Sequence, residues 1–195
     1  AGSLSLDEQR ELYQEAKIAL SRGDLSKYKS TLSRIGNYPL RPYLEYTELS
    51  ARLGRLPKRD VQNFLSKHDG TPIAARLRYR WLETLRNKDH WQDYLRDYQS
   101  KKATTAQQCY YHLARIRHGN QSDAIPEGVK LWSVGKSQPK GCDKLFGWLI
   151  ENNQITESIA WQRYTSSVLN HQYKLARYLQ RFFTSTRYQE LAEKF

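Results

Sequence analysis

The sequence predicts an all-α fold, an irregular superhelix (solenoid) of short antiparallel helical hairpins. Three observations carry this reading. Apolar residues recur at three- and four-residue steps, no segment sustains period-two alternation, and Gly, Pro and capping residues interrupt the pattern at short intervals.

Taken in order, helices are expected near 7–22 and 24–35, separated by Gly23 as a helix stop and Asp24 as an N-cap. A third is expected near 40–53 and a fourth near 57–67, with Pro57 in its first turn. Thr71-Pro72 reads as an N-cap followed by a first-turn proline, opening a helix near 72–87 whose Ala74, Leu77, Trp81 and Leu85 share a face. Trp91, Tyr94, Leu95 and Tyr98 mark the next, near 89–98, and Ala106, Cys109, Leu113 and Ile116 the one near 104–117. The text near 124–134 is also helical, with Gly135 as its stop. Cys142, followed by Leu145, Phe146 and Leu149 at helical spacing, leads a helix near 139–152. Helices near 155–169, 171–182 and 185–194 complete the chain. Twelve short helices are too many to share one bundle core. Stacked hairpins, each burying one face against the next, suit them better. No strict 34-residue repeat consensus is present.

Composition narrows the function classes. Of 195 residues, 38% are hydrophobic and 27% charged, the balance of a folded protein with a large wetted surface. No apolar run approaches the roughly 18 residues of a membrane span. Leu4, Leu6 and Leu12 are too interspersed with polar residues to form a signal-peptide core. Ala1-Gly2-Ser3 reads equally as a processed terminus or an appended one. Thirty-two Lys and Arg against 20 Asp and Glu give a formal charge of +12, which favours a polyanionic partner or a set of solvated helix faces. The 14 Tyr, 5 Trp and 5 Phe supply rings that fill helix interfaces while keeping a polar tip wet.

The motifs of common chemistries are missing. Gly135-Lys136-Ser137 resembles the end of a phosphate loop, but position 130 is Lys where that loop needs glycine. His68, His90, His112, His118 and His171 form no ligand spacing, and Cys109 with His112 lacks a second pair, so no metal site and no cofactor are expected. There is no Gly-x-Ser-x-Gly elbow. Glu45, Glu48, Glu83 and Glu157 all fall in regular helical text, where solvation or ion pairing is the usual role. No catalytic residue is assigned. Cys109 and Cys142 both point toward packed surface. They read either as two separate buried thiols or as a bond across 33 residues, worth about 3–4 kcal/mol by loop closure.

One stretch is distinctive. From Gly135 through Phe146 and Trp148 the chain resembles the GKSQPKxCDxLF segment of the bacterial soluble lytic murein transglycosylases. Lys130-Leu131-Trp132, Tyr38 to Tyr46, Phe64-Leu65 with Arg76 to Leu82, Trp91 to Leu95 and Leu175 to Leu179 are similar to the same family's text. The resemblance implies a periplasmic protein whose N-terminal helical superhelix is a ring-shaped scaffold, followed by a lysozyme-like catalytic domain. That family cleaves the bond between N-acetylmuramic acid and N-acetylglucosamine in peptidoglycan and forms a 1,6-anhydro ring. It also implies a Cys109–Cys142 disulfide. The family's catalytic glutamate lies in a Glu-Ser motif followed by Gly-Leu-Met-Gln. Glu157-Ser158 echoes the first half, yet no glycine follows Gly147 and the chain has no Met. Glu157 is therefore expected to be an ordinary helical surface residue. Residues 1–195 are expected to form part of one scaffold domain, inactive without the downstream catalytic domain, that binds or positions peptidoglycan glycan strands. The alternative is a stand-alone helical-repeat adaptor for a protein partner. Nucleic acid is disfavoured because no Lys- or Arg-rich block concentrates the charge.

Overall fold

The computed structural model describes residues 3–195; Ala1 and Gly2 lie outside the described residues. Among the described residues there are twelve α-helices, four short 3-10 turns and no strand. The expectation of an all-α chain of short hairpins is met. The chain forms two compact units, residues 1–84 and 85–195, with the division inside one helix.

The first unit holds α1 (Leu6–Ser21), α2 (Leu25–Ile35), α3 (Arg41–Ala51), α4 (Lys58–Lys67) and most of α5 (Pro72–Asn87). Gly23, at φ +74°, makes the turn that no side chain would favour, and the Asp24 carboxylate caps α2 by accepting from the Lys27 N–H at 3.1 Å. The α1–α2 hairpin is closed at its other end, where Gln9 Nε2 donates to the Ile35 carbonyl at 3.0 Å. Arg41 Nη1 then satisfies the Leu32 and Gly36 carbonyls that α2 leaves unpaired. Leu12, Ala16, Ala19, Tyr28, Ile35 and Leu44 form the core beneath. Each fully buried aliphatic or aromatic side chain contributes about 1.5–3 kcal/mol. Thr71 caps α5 as expected, accepting from the Ala74 N–H at 3.3 Å. Pro57 does not enter the first turn of α4. It occupies the N-cap position, one residue earlier than expected.

The second unit holds α6 (Trp91–Asp97), α7 (Thr105–Arg117), α8 (Gln121–Trp132), α9 (Asp143–Glu151), α10 (Glu157–Leu169), α11 (Tyr173–Leu179) and α12 (Thr186–Glu193). A reciprocal capping box between Thr104 and Gln107 opens α7. Helix α8 starts at Gln121, three residues before its expected start, and carries Pro126 in its interior at the cost of one amide donor. Its packing explains the tolerance. Gly128 lets α8 lie close on α9, with a Cβ there falling 3.3 Å from Leu145 Cδ1. Cys109, Leu113, Ile116, Ala124, Leu145 and Leu149 make one core cluster, and Trp132, Ala160, Tyr164, Ala176, Leu179 and Phe183 make another.

Candidate functional site

The distinctive stretch of sequence builds one wall of a groove in the second unit. Its geometry begins at Gly135. This residue is not a helix stop with left-handed backbone: α8 has already ended at Trp132. A Cβ at Gly135 would sit 2.6 Å from Asn170 Nδ2 and 2.8 Å from Ser166 Cβ, so glycine is required by contact with the end of α10. From α10, Arg163 reaches back with Nε donating to the Val134 carbonyl at 3.0 Å and Nη2 to the Lys136 carbonyl at 3.2 Å. Its guanidinium lies 4.6 Å from the Trp132 ring centre, and the residue is only 4% exposed. Burial pushes this guanidinium below its usual range. Gln138 Nε2 donates to the Leu131 carbonyl at 2.8 Å, and the bond between Cys109 and Cys142 fastens the start of α9 to α7.

Against that wall stands the α10–α11 connection. His171, held at φ +58°, brings its Nδ1 within 2.8 Å of the Tyr173 hydroxyl. Tyr173 and Tyr178 are exposed, and Arg181 lies over the Tyr178 ring at 4.0 Å. The groove between encloses about 880 Å³. Phe146 and the two tyrosines supply ring faces, Gln138, His171 and Gln172 supply polar edges, and Asp143 is the sole carboxylate against Arg163 and Lys174. Such a surface suits a polar ligand with flat apolar faces and neutral or negative charge.

A second groove, of about 620 Å³, lies in the first unit and includes Glu45 and Glu48. Both carboxylates are committed to cations. Arg41 Nε meets Glu45 at 2.9 Å, and Arg52 pairs with Glu48 at 2.6 Å and with Asp60 at 2.7 Å. Tyr28 beside them is pushed up to about 12, chiefly by burial and then by Glu48 and Glu45. Glu83 lies half-buried on α5.

Glu157 lies at the surface in the first turn of α10, as expected, but it is not idle there: its Oε1 accepts from the backbone N–H groups of Thr184 and Ser185 and from the Thr184 hydroxyl. These bonds, led by that from Ser185, hold the carboxyl below its ordinary value. It is an ionised acceptor with no proton to give, the opposite of what a general acid needs.

The histidines are dispersed among local partners. His68 faces Glu45 at 3.6 Å, His90 faces Asp93 at 3.9 Å, and His118 stacks on Trp91 at 3.5 Å. His112 lies beside Arg115, with burial first and then that cation lowering its basicity. Among the described residues, no three His, Cys, Asp or Glu side chains converge to hold a metal ion, and no helix is long and apolar enough to cross a membrane. The sequence reading missed Arg163. A signal was present, since a charged residue occupies the apolar register of Ala160, Tyr164 and Ser167.

No protein-family model matches the chain. Among curated proteins it is 34% identical over 151 residues to the soluble lytic murein transglycosylase of Escherichia coli K12, a match spanning 77% of this chain. It is 35% identical over 152 residues to the protein of the same description from Salmonella typhimurium. The matched part is 23% of the length of each, so the match spans under a quarter of these relatives. Among solved structures, the 70 kDa soluble lytic transglycosylase of E. coli superposes with a TM-score of 0.83 at 29% identity, over 98% of this chain and 31% of that one. An inactive mutant of a lytic transglycosylase from Pseudomonas aeruginosa gives 0.80 at 37% identity, over 91% of this chain and 29% of that one.

Proposed function

We propose, from the homology of this chain to the soluble lytic murein transglycosylases, that it is a stretch of the helical scaffold of a periplasmic peptidoglycan-cleaving enzyme. In this reading residues 1–195 belong to one scaffold domain, and they bind or position glycan strands. Cleavage between N-acetylmuramic acid and N-acetylglucosamine, with formation of the 1,6-anhydro product, is done by a catalytic domain outside these residues.

The observation that carries the reading is the groove between the Trp132–Ile150 stretch and the start of α11. Sugar rings present flat C–H faces that stack on Tyr173 and Tyr178, while their hydroxyls and amides meet His171, Gln172 and Gln138. Lactyl and peptide carboxylates find Lys174 and Arg181 at the edge, within a chain of formal charge +12. The Cys109–Cys142 bond fits an oxidising compartment such as the periplasm. Glu157, already engaged as an acceptor, supports assigning the chemistry to another part of the protein.

Co-sedimentation with purified peptidoglycan tests this. The chain should pellet with the polymer at low ionic strength and be partly released by salt; absence of binding at low salt would sink the reading.

A further inference from the structure

A second concavity in the second unit shares no lining residue with the groove above. It encloses about 330 Å³ where the end of α5, the middle and end of α7 and the Lys140–Cys142 turn meet. That size is near the lower end for small-ligand sites, roughly 300–1,000 Å³. Four cationic side chains line it, Arg86, Arg117, Lys140 and Lys144, and a single carboxylate, Asp89.

Asp89 is held in place by its neighbours. Its backbone is left-handed at φ +54°, and its Oδ1 accepts the Tyr110 hydroxyl at 2.6 Å. Tyr110 is buried, so its hydroxyl anchors the exposed Asp89 carboxylate in the lining. Gly141 sets the opposite side. A Cβ there would fall 2.7 Å from Ala106 Cβ and 2.9 Å from Arg86 Nη1, so glycine lets the turn close against the guanidinium. The adjoining Cys142 is bonded to Cys109 on α7, the helix that also carries Tyr110 and Arg117. Backbone restraint at 140–142 therefore sets Lys140 and Lys144 in the same lining as Arg86 and Arg117.

Like charges gathered around a small concavity repel one another, and a bound anion relieves that repulsion. Arginine forks and lysine ammonium groups match the oxygens of carboxylate and phosphate. We infer that this pocket binds a small oxyanion, a carboxylate or a phosphate group, through Arg86, Arg117, Lys140 and Lys144. The inference does not depend on glycan binding in the groove. A peptide carboxylate of a cell-wall fragment and free phosphate both carry the required chemistry.

The test follows amide signals of the isotope-labelled chain at constant ionic strength. One arm titrates inorganic phosphate and the other muramyl dipeptide. Saturable shifts confined to residues 86–89, 110–117 and 140–144 are expected in at least one arm, and the tighter arm identifies the source. The Lys140→Gln/Lys144→Gln variant, whose replaced side chains are exposed, should keep the dispersed spectrum and bind at least about fivefold more weakly. Three results would overturn the inference: unsaturable shifts in both arms, equal shifts at basic residues throughout the chain, or unchanged affinity in the folded variant.

Discussion

The Glu157 carboxylate accepts the Ser185 backbone N–H at 2.7 Å, joining the first turn of α10 to the N-cap residue of α12. Helix α12 has few other polar ties to its unit. Tyr164 donates its hydroxyl to the Ala192 carbonyl at 3.3 Å, and Trp161 packs near Tyr188 at 5.8 Å. The carboxylate thus acts as a clasp for the last helix.

A pH dependence follows from this clasp. The folded-state value of Glu157 lies below the ordinary 4.5, so its stabilisation is present above the unfolded value and is lost as pH falls through the folded one. Hydrogen exchange at Thr186–Glu193 should be faster in Glu157→Gln than in the parent near neutral pH. The two should converge in acid, below the folded value. Equal exchange at neutral pH would remove the clasp from the account.

Arg163→Met keeps the bulk beside Trp132 and removes both donors to the 134–136 backbone. The Val134 and Lys136 carbonyls lose their charged partner, which should cost about 3 kcal/mol. Chemical denaturation of the second unit measures the cost. A loss under about 0.5 kcal/mol would mean that water replaces the guanidinium freely.

Replacing Cys109 and Cys142 together by Ala should destabilise the second unit by about 3–4 kcal/mol, from the chain entropy released across the 33-residue separation. Protection of α7 and α9 amides against exchange reports this. Protection equal to that of the parent would show that packing alone holds α9 on α7.

Glycines give a paired contrast. Gly135→Ala forces a Cβ against Ser166 and Asn170 and should cost about 1–3 kcal/mol. Gly147 lies inside α9 with nothing within 4 Å of a new Cβ, so Gly147→Ala should stabilise by about 0.5–1 kcal/mol. Thermal unfolding of both variants reads the opposite signs.

The helices were legible because their signals are local. Asp24 and Thr71 cap where they were expected to, and the apolar face of Leu77, Trp81 and Leu85 is fully buried. Boundaries slipped where tertiary contact overrode local text. A helix was expected near 124–134, yet α8 runs from Gln121 to Trp132 with Pro126 in its interior. Gly135 reads as a stop in sequence, but its reason lies some thirty residues away, at Ser166 and Asn170. The same distance hid the site. The position of Arg163 within its helix hints at burial but does not identify the 134–136 backbone as its partner, and nothing near Glu157 announces Ser185. Such pairs exist only once the hairpins have stacked.

The most direct test of the central claim compares peptidoglycan co-sedimentation of the chain with that of Tyr173→Ala/Tyr178→Ala. Both rings are exposed, at 55% and 37%, so the fold should survive their loss. The parent should bind at low salt, and the variant should bind about fivefold or more weakly, as expected for two lost ring faces. Binding by the variant at the strength of the parent would contradict the placement of glycan in this groove.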